Sequence, residues 1–504
     1  MSPAMRGRVV SSGVLPLPDI LTPDWVKNAI FYQIFPDRFA RSPALPKPKN
    51  LEPWDSPPTL HGFKGGDLLG IAERLDYLQD LGVDALYLNP IFQSTANHRY
   101  MTTDYYQVDP ILGGNAAFRR LLDEAHDRGI RVILDGVFNH TSRGFFPFTH
   151  ILENGPDSPY VDWYIVKGFP LNAYSATRPP NYACWWNLRA LPKLNTANPD
   201  VREYLWQVGR HWVEEGIDGW RLDVPNEIDD DAFWQEFRRR VKSANPQAYL
   251  VGEIWTEASR WLKGDQFDGV MNYVLGSACL GFFIEGGPDP ATISGTGYFP
   301  IPALDAASFG KVMQGLLGRY PPAITQCQLN LIGSHDTARL LTMARNDESA
   351  VRLCLLFLMT FPGAPCLYYG DEIGMAGGKD PDCRRAFPWD RTRWRQDLRA
   401  YVRRCIALRR AHPALRTGEF RPLYADAGVY AFARSLSTEM LVVAFNASRG
   451  SRALALPVGD VLADGSAWRD VWGAGSARVT GGVLQGMTLA PRSAVVFVTD
   501  TGQA

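Results

Sequence analysis

The amino-acid sequence predicts an α/β fold: a closed parallel (β/α)8 barrel of the TIM type, with a small domain inserted after its third strand and an antiparallel β-sandwich at its C-terminal end. Three observations predict it. Eight short apolar runs alternate with amphipathic helical segments. Each run is too uniformly apolar for a sheet wetted on one face. After about residue 420 the helical pattern gives way to short alternating runs broken by Gly, Ser and Asn. A doubly wound open sheet is the alternative that the same alternation allows.

The elements follow in order. Residues 1–28 form an N-terminal extension with Arg6 and Arg8 near its start but no unbroken apolar core of signal-peptide length. AIFYQIFPDRF opens the barrel near Ala29; VDALYLNPIF follows the helical LGIAERLDYLQDLG, and RVILDGVFNH follows NAAFRRLLDEAHDRG. Residues 141–198 are far longer than an ordinary strand-to-helix loop and rich in Pro, Asn and aromatics (NGPDSPYVDWY, RPPNYACWWNLRALPKLN), which predicts an inserted domain. The barrel, 29–140 and 199–420, then resumes with IDGWRLDV, AYLVGEIW, FDGVMNY, LNLIGSHD and APCLYYGDE. Between them stand the helical stretches VREYLWQVGRHWVEEG, DAFWQEFRRRVKSA, FGKVMQGLLGRY and ESAVRLCLLFLMTFPG. In 421–504, VYAFARS, MLVVAFNAS, RALALP and SAVVFV are the sandwich strands.

Composition narrows the partner. The 504 residues carry 52 basic and 53 acidic side chains, a formal net charge of −1, so no global field draws in nucleic acid or an anionic membrane. An uncharged or small ligand fits better. Seven scattered cysteines give neither a disulfide framework nor a metal-ligand spacing, and no window approaches a membrane span. A cytoplasmic protein with no resident metal is expected.

Barrels of this kind place chemistry at the C-terminal ends of their strands. There the third run ends in Asp135, Asn139 and His140, the fourth in Arg221 and Asp223, the fifth in Glu253 and the seventh in His335 and Asp336. Taken singly, each has a structural reading: a turn cap, an ion pair, a satisfied core imidazole. Four carboxylates on one rim repel one another, which is a poor way to stabilise a fold. The surrounding residues include Tyr100, Phe145, Phe146, Trp185, Trp186, Trp255 and Trp389. Apolar faces mixed with Asp, Asn, His and Arg suit a sugar ring, whose CH faces stack while its hydroxyls take hydrogen bonds. Glycoside chemistry needs one ionised and one protonated carboxyl flanking the bond. In GWRLDVPNE, strand alternation puts Trp220, Leu222 and Val224 on one face and Arg221 with Asp223 on the other. Arg221 is expected to keep Asp223 ionised, and Glu253, beside Trp255 on an apolar strand, to have a raised pKa.

Read in order, DGVFNH (135–140), LPKLN (191–195), GWRLDVPNE (219–227), EIW (253–255) and LIGSHD (331–336) resemble the signature segments of the α-amylase family of retaining glycoside hydrolases. The resemblance covers most of the chain. It implies Asp223 as nucleophile, Glu253 as general acid/base and Asp336 as the carboxylate that stabilises the transition state. It also implies that His140, Arg221 and His335 hold the sugar at the cleavage subsite, that Tyr100 stacks on it, that His98 binds substrate, and that Asp135 and Asn139 support the site. LPKLN, the Asn226–Glu227 pair and GDEIGMAGGKDPDCRRAFPW resemble the neopullulanase, cyclomaltodextrinase and maltogenic amylase group. That group would place Glu227 and Trp255 on the acceptor side and Asp380 and Arg384 on the donor side. The implied substrate is an α-glucan, cleaved at α-1,4 or also α-1,6 bonds. Maltodextrin glucosidases and glucosyltransferases on the same barrel are the alternatives; a non-catalytic transporter ectodomain is disfavoured because the carboxylates are present.

Three departures stand out. The group's members usually carry an additional N-terminal β-domain used in dimerisation, whereas the first strand here is expected near Ala29, which leaves both that domain and the oligomeric state open. Calcium-binding relatives carry Asp and Asn in the loop after the first strand, where RSPALPKPKN offers prolines and lysines and only Asp67 remains, so no calcium requirement is expected. Finally, the segment written HKYDT in many relatives is HRYMT here, with Met101 in place of an aspartate.

Overall fold

The computed structural model describes residues 20–499. Most of the expected N-terminal extension, residues 1–19, lies outside the described residues, as do 500–504. Eight strands form the barrel: β1 (Phe31–Ile34), β2 (Ala85–Leu88), β3 (Arg131–Gly136), β4 (Gly219–Leu222), β5 (Tyr249–Gly252), β6 (Gly269–Asn272), β7 (Leu329–Asn330) and β8 (Ala364–Tyr368). They pair in parallel in chain order, and β8 closes back on β1. Arg131 is the one exposed residue among them, because one face fills the barrel and the other meets the helices. The close packing requires Gly219 (φ 156°): a Cβ there would lie 2.2 Å from the Tyr249 carbonyl oxygen on β5.

The outer helices follow from apolar spacing and caps. Pro199–Glu214 starts where the Asn198 side chain accepts from the Asp200 and Val201 amides, and it buries Val201, Leu205, Val208 and Trp212 on one stripe. Asp230 caps Asp231–Ala244 in the same way. The alternation is not complete. Between β5 and β6 no helix forms; the chain returns through turns such as the Trp261 amide to the Ala258 carbonyl, 3.0 Å.

Two local expectations are corrected. The first strand begins at Phe31 rather than near Ala29. The fourth stops at Leu222, so Val224 does not share a face with Trp220 and Leu222; it takes a left-handed conformation, φ 35°, ψ 51°. The turn has a reason: it aims the Val224 amide at Glu253 Oε2, 3.0 Å away.

Residues 141–198 contain one helix, Phe146–Asn154, short 3-10 turns and isolated bridges rather than full strands. Phe148, Ile151, Tyr164 and Tyr182 are buried within this segment. The bridge from His140 to Lys193 ties its returning limb to the chain just after β3, and the bridge from Cys184 to Pro192 closes a loop within that limb.

The C-terminal strands are β9 (Glu419–Asp426), β10 (Val429–Leu436), β11 (Glu439–Asn446), β12 (Arg452–Pro457), β13 (Ala467–Asp470), β14 (Ser476–Thr480), β15 (Val483–Leu489) and β16 (Ser493–Thr499). They are hydrogen-bonded into one antiparallel sheet, ordered β9-β10-β11-β16-β13-β14-β15-β12. Alternation divides its core. Tyr430, Phe432, Leu441, Val443 and Phe445 join the barrel's core, whereas Ala431, Ala433, Val442 and Ala444 pack with Leu454, Trp468 and Val479 in a second one.

Two buried arginines hold this junction without a carboxylate. Arg409 donates to the carbonyls of Met359 (2.9 Å), Phe361 (3.1 Å), Leu415 (2.9 Å) and Gly363 (2.6 Å). Arg434 donates to Thr360 (2.7 Å), Leu415 (2.8 Å) and Gly418 (3.0 Å). Several of these carbonyls end the helices Glu348–Thr360 and Pro413–Thr417, the negative poles of those helices. Burial pulls Arg409 down to about 9 and Arg434 well below the ordinary guanidinium range.

Candidate active site

Asp135 and Arg221 are register partners on β3 and β4, so their side chains meet on the inward face. Arg221 Nη1 lies 2.7 Å from Asp135 Oδ1 and 2.9 Å from Asp223 Oδ1, while Nη2 lies 3.0 Å from Glu253 Oε2. Sequence reasoning gave this arginine to Asp223 alone; it is shared by three carboxylates. Glu253 also accepts from the Val224 amide and, through Oε1, from Trp255 Nε1 at 3.1 Å.

This sharing changes the electrostatics. Burial pushes the Asp223 carboxyl well above the usual carboxylate range; Arg221 pulls it back, and Glu253 and Asp135 push it further up. Glu253 is raised by burial, as expected, with Arg221 opposing and Asp336 adding to the rise. Arg221 alone was expected to keep Asp223 ionised, but one guanidinium divided among three carboxylates does not offset their burial and mutual repulsion. Burial and the neighbouring carboxylates thus raise both Asp223 and Glu253, the direction that favours a protonated carboxyl beside the one that attacks.

A chain of neutral donors braces Asp135. Gln33 Nε2 meets His335 Nδ1 at 2.8 Å, which assigns the ring proton to Nε2. That nitrogen is 2.6 Å from the Tyr100 hydroxyl, which donates to Asp135 Oδ2 at 2.8 Å. Tyr87 gives Asp135 a further donor at 2.9 Å. Tyr100 and His335 stack, 5.5 Å between centroids and 4° between planes. Burial, with the nearby Arg384 and Arg221 charges, holds His335 far below the ordinary imidazole range. His98, half-buried, accepts the Tyr100 amide at 3.1 Å and is lowered to about 3 by burial and then by Arg384.

His140 is buried at the end of β3, and burial lowers it to about 4. Asn139 Nδ2 approaches its Nδ1 at 3.3 Å, which leaves Nε2 as a donor with no protein partner. Asn139 is itself fixed by the Leu194 amide on its carbonyl, 3.0 Å. Opposite, Asp336 Oδ2 lies 3.2 Å from His335 Nε2, and Oδ1 accepts from Arg384 Nη2 at 3.1 Å; Arg384 Nη1 reaches Asp380 at 3.1 Å. Glu227 pairs with Lys193 from the inserted segment at 3.3 Å. Trp255 stacks on Tyr273, 3.5 Å apart at 6°, and Gly297 lies against its ring, where a Cβ would come within 2.5 Å.

All fourteen expected site residues thus lie around the C-terminal mouth of the barrel. Sequence reasoning missed Gln33, Tyr87, Tyr273 and Asn89, whose amide donates to the Tyr100 hydroxyl at 3.1 Å; all four belong to apolar strand runs and carried no distinguishing spacing. Two of the aromatics it counted are turned into the core. Phe145 is buried among Tyr105, Trp163 and Tyr204, and Trp389 packs on Phe39 and Phe387 while donating to the Phe39 carbonyl, so both serve the core.

The loop after β1 is filled by protein donors. Asp67 Oδ1 accepts from the Gly70 amide (2.7 Å), and Oδ2 accepts from the Ser42 amide (2.9 Å) and the Lys47 ammonium (2.5 Å). A divalent cation would have to displace Lys47, so these residues do not fit a calcium ion.

Comparison with known proteins agrees with this geometry. Residues 33–417 match the family model for the alpha amylase catalytic domain, and 420–498 match that for the neopullulanase-like C-terminal domain. A cyclomaltodextrinase from Bacillus sp is 45% identical over 436 residues, covering 86% of this chain and 75% of that protein. A solved structure, Ttha1563 from Thermus thermophilus, superposes with a TM-score of 0.90 at 52% identity, over 94% of this chain and 99% of the other. The Nostoc punctiforme debranching enzyme, solved after soaking with acarbose, gives 0.86 at 49% identity over 95% and 100%. With its carboxylate rim, its barrel and its terminal sheet matched together, the chain belongs to the α-amylase family of glycoside hydrolases, as an enzyme of the neopullulanase and cyclomaltodextrinase kind.

Proposed function

We propose that the protein hydrolyses α-1,4-glucosidic bonds of maltodextrins and cyclodextrins, and α-1,6 bonds of related glucans, with retention of configuration. The observation that carries this reading is the single guanidinium of Arg221 joining Asp135, Asp223 and Glu253, with Asp336 across the mouth. In the first step an oxygen of Asp223 attacks the anomeric carbon as the glycosidic C–O bond breaks, and the leaving oxygen takes the proton held by Glu253. In the second, Glu253 removes a proton from water, whose oxygen displaces Asp223 from the anomeric carbon. Asp336, oriented by Arg384, bonds sugar hydroxyls and favours the cationic transition state. His140 Nε2, buried and unpartnered, is a ready donor to a hydroxyl at the cleavage subsite, and His335 holds Tyr100 as the platform beneath that sugar.

Glu227 and Trp255 border the acceptor, with Asp380 and Arg384 on the donor side. Met101 follows Tyr100 and cannot accept a hydroxyl as an aspartate would, which favours glucan extending past that sugar over capture of a chain end. No calcium is required, a reading supported by Lys47 on Asp67, and EGTA should leave activity unchanged. A cytoplasmic location accords with seven cysteines outside any disulfide. Among the described residues no helix is long and apolar enough to cross a membrane.

The deciding experiment is a product profile on starch, pullulan, cyclodextrin and short maltodextrins, with the anomer followed by NMR. Release of the α-anomer first from cyclodextrin supports the reading. Release of the β-anomer, or glucose alone from chain ends with cyclodextrin untouched, refutes it.

A further inference from the structure

Trp186 is 75% exposed, yet one face of its ring is fixed. It stacks on Trp185 at 4.6 Å and 12°, and Trp185 stacks on the buried His140 at 5.2 Å and 18°. A ladder of three rings thus runs from the cleavage subsite to solvent. Its outer rung is held in an unusual conformation: Trp186 has φ 48° and Asn187 φ 58°, both left-handed. A bulky aromatic in that region is strained, and such strain persists only where surrounding contacts impose it.

Those contacts are visible. The Trp185 amide donates to the Leu191 carbonyl (3.0 Å) and the Leu188 amide to the Trp185 carbonyl (2.9 Å), closing a tight loop above the Cys184 to Pro192 bridge. The Thr141 amide on the Pro192 carbonyl, 3.0 Å, fastens that loop to the end of β3. Next to the exposed ring, Trp185 Nε1 is buried without a partner. With its inner face covered by Trp185 and 75% of the residue exposed, Trp186 offers a flat apolar ring face to solvent, which matches the stacking face of a pyranose.

We propose that Trp186 is a further substrate-binding residue: a platform for a glucose unit of a chain that extends beyond the cleavage subsite, selecting long or cyclic glucans over short ones. The inference rests on the α-glucan reading above. Because it adds contact area away from the reacting bond, it contributes binding that is equal in ground and transition states, and so acts on KM rather than kcat.

The test compares wild type, Trp186→Ala and Trp186→Tyr on maltotriose and on a long linear maltodextrin. With Trp186→Ala, KM for the long chain should rise about threefold to tenfold, the range of one aromatic stacking contact, while kcat stays within about twofold. Maltotriose kinetics should not change, and Trp186→Tyr should restore most of the long-chain KM. An equal KM rise on both substrates, a fall in kcat on both, or no change on either overturns the proposal; the first two outcomes would mark Trp186 as mere support for Trp185 and His140. Should Trp186→Ala not fold, Trp186→Asn, which tolerates the left-handed backbone, carries the same comparison. A wild type that cleaves neither substrate refutes the α-glucan reading itself and is seen before any variant is made.

Discussion

Replacing Arg221 by lysine keeps the charge of the catalytic centre and removes only its geometry. The arginine spans Asp135 at 2.7 Å, Asp223 at 2.9 Å and Glu253 at 3.0 Å through two nitrogens. Lysine carries its charge on one nitrogen at the end of a flexible stem and has no planar fork, so it cannot hold all three. Losing two charge-assisted contacts at about 1.5–3 kcal/mol each gives about 3–6 kcal/mol, divided between folding and the transition state. If half reaches the transition state, kcat falls about tenfold to 150-fold. The pH profile should move as well. Asp223 is raised by burial and held back by Arg221, so weakening that restraint raises it further. The acid limb of kcat should then shift to higher pH. The assay is reducing-sugar release from maltodextrin between pH 4 and 9, with circular dichroism to confirm the fold. A folded Arg221→Lys enzyme within about threefold of wild type, with its acid limb unmoved, would refute the claim that one fork organises the carboxylates.

Acid should destabilise the fold through His140, whose pKa is lowered to about 4. An unfolded histidine titrates near 6.5, so this contribution is complete above about pH 6.5 and is lost as pH falls toward 4. At pH 5 the loss is about 2 kcal/mol, and urea unfolding of His140→Gln between pH 7 and 5 should show a correspondingly smaller decline; an identical decline would refute the assignment. Val224→Asn should relieve the left-handed strain and stabilise the protein by about 1 kcal/mol while the backbone bond to Glu253 keeps kcat within about twofold, checked by urea unfolding and steady-state rates. Arg434→Met deprives the Thr360 and Gly418 carbonyls of donors and should cost about 2 kcal/mol in the same unfolding assay. A gain instead would show that burying the guanidinium outweighs its bonds.

The barrel was legible because each of its strands is apolar enough to be read without help from its neighbours. The carboxylates were legible because Asp135, Asp223, Glu253 and Asp336 interrupt those runs at their C-terminal ends. What escaped the sequence was contact across the barrel. Gln33 looks like an ordinary strand polar residue until β1 and the His335 loop are side by side. The three-way sharing of Arg221 depends on a backbone turn at Val224, a β-branched residue that local propensity assigns to strand. Phe145 and Trp389 misled because aromatics pack cores as readily as they bind sugars.

Arg409 and Arg434 make the C-terminal sheet more than an appended module. Each aims its guanidinium at main-chain carbonyls at or just beyond helix ends, and Arg434 does so from inside β10. A chain cut after Thr417 would expose those helix ends and leave the Arg409 guanidinium half enclosed, while the apolar face bearing Tyr430, Phe432 and Phe445 would be lost from the barrel's core. The terminal sheet is a keystone: barrel and sheet should melt in one transition, and the catalytic mouth, at the far ends of the same strands, should fail when that transition begins.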